Sequence, residues 1–286
     1  MTMRVSTLQM QTNATYNISK LQTQLYDDQT KLSTGKKVNV ASDSDSIADI
    51  ITLSDRLASI QSNQDIAKST LGKLESNDSH LKAINDTLNQ VRDLTIQKLN
   101  STNSVATTEM NAQLSQLKDQ LFEQVNVKDE NGRYVFSGYQ GSTPSYVNTL
   151  GVISYQGDNG HINIQLDNYQ VQTNVNGNDL FATNVFTMID NIMTNPTQAH
   201  LSEIDQNLDK NLLAQVNNGN QMKKLDFYNN LSDDLSINYQ KQYSNLTDTD
   251  YVETISHFIQ LQTMYQASLK TMNQINDLTS LMLQRI

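Results

Sequence analysis

Residues 49–90 read DIITLSDRLASIQSNQDIAKSTLGKLESNDSHLKAINDTLNQ, and one stripe of positions recurs through them every three or four residues. The stripe is Ile50, Leu53, Leu57, Ile60, Gln64, Ala67, Leu71, Leu74, Asp78, Leu81, Asn85 and Leu88. An unbroken alternation of three and four is a heptad seam, here with polar residues at some core positions. A seam of roughly 50 residues at about 1.5 Å per residue extends about 75 Å, too long for one helix of a compact domain. The expected fold is therefore mainly α: an elongated multi-helix rod.

Outward from this stretch the helical pattern continues on both sides. Before it, Ile18, Leu21, Leu25 and Leu32 recur at helical spacing on a background of Gln, Thr and Asn. Gly35 offers a C-terminal cap, with Lys36 and Lys37 where positive charge suits a helix end. Ser42, Asp43, Ser44, Asp45 and Ser46 supply candidate N-caps for the long helix. After it, Asn100 to Ser104 interrupts, and a second helix carries Met110, Leu114, Leu117, Leu121 and Val125 up to Asn131-Gly132.

The middle changes character. Seven of the ten glycines (132, 138, 141, 151, 157, 160, 177) fall there, with Tyr134-Val135-Phe136, Val152, Ile153, Tyr155 and the alternating Ile162, Ile164, Leu166. The alternating run follows Gly157-Asp158-Asn159-Gly160, as a strand leaves a tight turn, so a small central β-rich domain is expected. Helical spacing resumes at Val185, Ile189 and Ile192, breaks at Asn195-Pro196, and returns through Leu201, Ile204, Leu208, Leu212 and Val216. A further stretch carries Met222, Leu225, Tyr228, Leu231, Leu235 and Tyr239. The last helix shows Ile255, Phe258, Leu261, Tyr265, Leu269, Met272, Ile275, Leu278 and Met282, with four charged residues among the final 36.

A lone helix with one apolar stripe does not repay its ordering cost in water, so the stripes at the two ends need partners. If the middle doubles back, the ends lie side by side as a two-helix coiled coil. Their outer faces of Gln, Asn, Ser and Thr can be buried against neighbours without desolvating ions. The expected division is 1–40 as an N-terminal axial helix pairing with 246–286, 41–130 and 185–245 as the two halves of a helical rod, and 131–184 as a small outer β-rich domain. The axial interface is expected to use Leu8, Ile18, Leu21, Leu25, Leu32, Ile255, Phe258, Leu261, Tyr265, Leu269, Met272 and Ile275. Both ends are expected to be mobile before assembly, and slow amide exchange at Leu21, Leu25, Leu269 and Met272 in a monomer would contradict that.

Composition narrows the function classes. A net charge of −10, with no basic stripe, argues against nucleic acid. The absence of cysteine removes disulfides and thiolate metal sites. The start of the chain lacks a secretory apolar core, and no stretch approaches about 20 apolar residues, so no membrane span is expected. The four histidines (80, 161, 200, 257) are scattered, Asp43, Asp45 and Asp49 lack the glycine and glutamate of a calcium loop, and no nucleophile elbow frames a serine. The expectation is no enzyme, no metal and no cofactor.

Several segments resemble the flagellin superfamily, and within it the hook-associated proteins of the hook–filament junction. They are residues 3–10 (MRVSTLQM), 32–38 (LSTGKKV) with Ser42-Asp43, 131–138 (NGRYVFSG), 155–160 (YQGDNG), 175–181 (VNGNDLF) and 265–269 (YQASL). Asp45 stands where the family usually has proline, and the ending LMLQRI departs from the family's usual tail. The resemblance implies a structural, flagellin-like subunit exported by the flagellar type III system to the extracellular bacterial flagellum. It also implies self-assembly and a role in motility, as the junction on which flagellin polymerises. The implied partners are neighbouring copies, the preceding hook-associated protein, flagellin and an export chaperone. The alternatives are flagellin itself and an unrelated helical coiled-coil adaptor.

Overall fold

A computed structural model describes residues 2–37, 44–101 and 103–283. Among the described residues, seven helices and four short strands follow in the order α1 (Thr2–Thr34), α2 (Ser44–Asn100), α3 (Ser104–Val125), β1 (Tyr146–Thr149), β2 (Val152–Tyr155), β3 (Asn163–Leu166), β4 (Tyr169–Gln172), α4 (Gly177–Leu180), α5 (Val185–Thr194), α6 (Gln198–Thr247) and α7 (Tyr251–Leu283). The mainly α class is as the periodicity predicts. Two units form: Met1–Ala58 with Leu235–Ile286, and Ser59–Asp234. Residues 131–184 lie wholly within the second.

The long heptad run is one helix of 57 residues. Its N-cap candidates Ser42 and Asp43, and the side chains of Ser44, Asp45 and Ser46, lie outside the described residues. Leu53, Ile60, Ala67, Leu74, Leu81 and Leu88 are buried as the stripe predicts. Beyond Ala67 the other half of the seam moves one residue back: Thr70, Asn77 and Ile84 are buried, while Leu71, Asp78 and Asn85 are half-buried. The neighbours that cover α2 change along its length, from the second hairpin, Leu225 and Tyr228 to α3 and α5, and the buried face changes with them. Asp78 thereby stays near water and binds Lys82 at 2.7 Å.

The second unit has two cores. The larger joins Leu81, Ile84, Leu88 and Val91 of α2 to Leu114, Leu121 and Val125 of α3, Phe136, Tyr146, Ile153 and the apolar face of α5. The smaller joins Ala67, Leu74, Leu225 and Tyr228 to Leu166 and Val171 of the second hairpin. The β-rich region is thus two separate antiparallel hairpins, β1–β2 and β3–β4, each packed on a different core. Lys98 is buried and spans three acceptors, Ile192 O at 2.8 Å, Met193 O at 2.5 Å and Asn111 Oδ1 at 2.6 Å. Its ammonium caps the carbonyl end of α5, where the helix dipole is negative, while burial pulls its pKa below the ordinary lysine value.

On α6 the buried line is Ile204, Asn207, Asn211, Ala214, Asn218, Leu225, Tyr228 and Ser232. Leu212, Val216, Leu231 and Leu235, expected in the stripe, are exposed. Two of the amides in this line bond to backbone: Asn218 Nδ2 donates to Leu74 O at 2.8 Å, and Asn207 Oδ1 accepts from the Ala182 and Thr183 amides. A buried amide is retained when it satisfies main-chain groups that water cannot reach.

Candidate assembly interface

The first unit is built around α1 and α7. Gln11 Nε2 donates to Asn276 Oδ1 at 3.3 Å, Gln22 Nε2 to Tyr265 Oη at 2.9 Å, and Asp28 Oδ2 lies 2.6 Å from His257 Nδ1. Numbers rise on one helix as they fall on the other, so the pair is antiparallel. The shielded positions on α1 include the series Ala14, Ile18, Leu21, Leu25, Asp28 and Leu32, continued by Gly35 just past its end, with Gln24, Thr30 and Lys31 also half-buried beside it. On α7 they are Thr254, Phe258, Leu261, Tyr265, Ser268, Met272 and Ile275. Both series alternate four and three throughout, the spacing of a two-helix coiled coil.

Of the expected axial residues, Leu21 and Leu261 are buried, and Ile18, Leu25, Leu32, Phe258, Tyr265, Met272 and Ile275 are half-buried. The side chain of Leu8 lies outside the described residues. Ile255 and Leu269 are not in the seam and are 44% and 38% exposed. A strict alternation places their predecessors, Thr254 and Ser268, inside, and the larger residues stand one step round the helix. With Tyr251, Val252 and Ile259 they leave α7 a second, outward apolar surface. Apolar spacing alone misses Asp28, Thr254 and Ser268. The signal that finds them is the four–three count continued through polar residues.

At the base of the pair the chain closes on itself. Gly35 has φ +69, the left-handed cap conformation expected for it, and its amide donates to Lys31 O at 2.8 Å. The Lys37 amide donates to Thr247 O at 2.8 Å and the Thr249 amide to Gly35 O at 2.9 Å. Lys36 Nζ donates to Asp248 Oδ1 at 2.5 Å, and the Ser244 and Thr247 hydroxyls also donate to that carboxylate. These donors, Lys36 first, hold the Asp248 pKa at about 2, below its usual 3.8. A carboxylate with a depressed folded value adds stability that is complete above the unfolded value and lost as pH falls through the folded one. The clasp is therefore expected to stay closed at neutral pH and to open as pH drops from 3.8 towards about 2. Protection of the Lys37 and Thr249 amides against pH should show the loss, and Asp248→Asn should remove that pH dependence.

Among the described residues no group of three His, Cys, Asp or Glu side chains is placed to hold a metal ion. Among the same residues no helix is long and apolar enough to cross a membrane. What the first unit offers is a surface of paired helices.

The model of the bacterial flagellin N-terminal helical region matches residues 5–141. Flagellar hook-associated protein 3 of Escherichia coli (strain K12) is 27% identical over 321 aligned residues, covering 99% of this chain and 100% of that protein. The chain is thus similar to the flagellin N-terminal region over residues 5–141 and to hook-associated protein 3 along its length. Its relatives include the Salmonella typhimurium protein of the same name, 24% identical across 99% of this chain and all of that one. The crystal structure of flagellar hook-associated protein 3 from Legionella pneumophila superposes with a TM-score of 0.64 at 15% identity, covering 69% of this chain and 98% of that one. The flagellin N-terminal region takes in α1, α2 and α3 and ends just before the first hairpin.

Proposed function

We propose that this chain is a structural subunit of the bacterial flagellum that forms the junction between the hook-side hook-associated protein and the flagellin filament, and carries out no reaction. The observation that carries the reading is the full-length match to proteins named hook-associated protein 3, including both terminal helices. The same match favours the junction over flagellin itself. In this reading residues 1–40 and 246–286 form the axial element, 41–130 and 185–245 the helical body, and 131–184 the outer β-rich part. The shielded faces of α1 and α7 hold each other. Their outward faces, with Ile255, Leu269, Val252 and Ile259 set among amide and hydroxyl side chains, are available to neighbouring copies, the preceding hook-associated protein and flagellin. Export by the flagellar type III system, aided by a chaperone, delivers the chain to the extracellular flagellum.

Deleting the gene tests the reading. A cell without this protein is expected to build hooks and release flagellin monomer into the medium without growing filaments, as seen by electron microscopy and by blotting the supernatant. Normal filaments in that strain would remove the junction role, and filaments made of this chain would reassign it as flagellin.

A further inference from the structure

Two surfaces of the Ser59–Asp234 unit face away from each other. The side of α2 turned to α6 is marked by Leu74 and Leu81, whose carbonyls accept from Asn218 Nδ2 at 2.8 Å and Gln215 Nε2 at 3.5 Å. Gln90 and Gln97 follow Leu81 by nine and sixteen residues, which at about 100° per residue is roughly half a turn round the helix. They open on a groove between α2 and α3. On α6, Leu213 and Val216 precede Asn218 by five and two residues, again roughly opposite the side that meets α2. The groove and the outer ridge of α6 therefore occupy opposite flanks of one unit.

The two flanks match along their length. Thr87 bonds Gln124 and Lys98 bonds Asn111, so α3 runs antiparallel to α2. One end of the groove thus carries Asp93, Asp119 and Glu123, the other Gln97 and Gln113, with Leu94 and Leu117 in its lining. None of its described lining residues is basic. On the ridge, Leu212, Leu213 and Val216 are 52%, 53% and 51% exposed. Lys223 and Lys224 stand exposed about 15 Å further on, the same span as that from Gln113 to Glu123 at about 1.5 Å per residue. Of the carboxylates near the ridge, Asp209 lies past its leucine end, and Asp226 is about 100° round the helix from the exposed Phe227.

Polarity agrees as well. Asn218 reaches Leu74 and Asp205 reaches Arg92, so α6 is antiparallel to α2. Followed in the direction of α2, the lysine end of the ridge and the acidic end of the groove both come first. Two copies in the same orientation can therefore meet lysine to carboxylate and leucine to the groove's apolar lining. Asn218 is level with Leu74, twenty residues before Leu94, so such copies are offset by about 30 Å along α2.

We infer that neighbouring copies of this chain pack side by side, parallel and stepped by about 30 Å, with the α6 ridge of one in the α2–α3 groove of the next. The inference rests on the junction reading above. Because the contact uses two different faces, it propagates from copy to copy instead of stopping at a pair. Opposite charges at one end fix register and reject the reversed orientation.

The chain has no cysteine, so Gln97→Cys with Leu213→Cys introduces the only thiols, and on opposite flanks they do not join within one molecule. Hooks isolated from a strain making this chain in place of the unmodified one are treated with a short bismaleimide and blotted for this protein. A ladder of multiples of the chain is expected, with each single-thiol chain staying monomeric. Reversing the groove (Asp93→Lys, Asp119→Lys, Glu123→Lys) or the ridge (Lys223→Glu, Lys224→Glu) should lower the amount of chain on hooks at least about fivefold. All five side chains are exposed, so the circular dichroism of each variant should be unchanged. Both reversals in one chain should restore assembly. Dimers without higher multiples, no cross-linked product, adducts with flagellin or the preceding hook-associated protein alone, or no rescue by the combined reversal would overturn the inference. Unmodified hooks that lack this chain would instead overturn the junction reading, and the inference with it.

Discussion

Removing α7 from Tyr251 onward is expected to abolish assembly and to strip α1 of most of its helix. Leu21, Leu25 and Leu32 are shielded where α1 meets α7, and Gln11, Gln22 and Asp28 bond across to it. An isolated helix has to repay a costly nucleus, and helices in proteins draw most of their stability from a packed face. Without α7 the stripe on α1 has water in place of Phe258, Leu261 and Tyr265. Far-ultraviolet circular dichroism should lose more signal than the deleted residues account for. A strain carrying only the truncated chain should behave as the gene deletion does. The cores between Ser59 and Asp234 are built without α7, so their cooperative unfolding transition should persist. Assembly of the truncated chain would refute the paired-end reading.

How far the sequence reveals this pair depends on which force places each residue. Leu21, Phe258 and Leu261 are legible because apolar burial is proportional to area and recurs with the helix period. Asp28 is illegible by that criterion, since its place depends on a partner 229 positions away. Ile255 and Leu269 read as core because they are large and apolar. The four–three geometry nevertheless gives the inside to Thr254 and Ser268, whose hydroxyls are small enough for the seam. On α6 the same conflict goes further: Asn207 and Asn218 serve main-chain groups of other segments, which periodicity cannot reveal, while Leu212 and Val216 face outward. The caps, by contrast, are local chemistry. Gly35 is found where a left-handed residue is required, and the break at Asn195-Pro196 separates α5 from α6.

In the second unit the largest loss is expected from Phe186→Ala. Phe186 is 1% exposed and lies in the larger core, its ring 5.5 Å from Tyr146, 6.2 Å from Phe122 and 6.4 Å from Phe181. It therefore joins α3, the first hairpin and the start of α5 through edge-to-face contacts, each worth about 0.5–1.5 kcal/mol beyond the area buried. Its position is fixed locally, because Asn184 Oδ1 caps α5 by accepting from the Phe186 and Thr187 amides. Truncating a buried phenylalanine costs about 3–5 kcal/mol, partly as lost transfer energy and partly as the cavity left behind. Against a domain stability of about 5–15 kcal/mol this is a large fraction, so the urea midpoint should fall steeply while the slope stays the same. Phe186→Leu keeps most of the volume and should lose markedly less. Tyr228→Phe in the smaller core removes only the hydroxyl that donates to Asp167 Oδ2 at 2.8 Å, and should cost about 1 kcal/mol. If the three variants shifted the midpoint equally, filling of the larger core would not limit the stability of this unit. The expected order, Ala at 186 far below Leu at 186 and Phe at 228, follows from cavity volume in one core and the loss of one hydroxyl in the other.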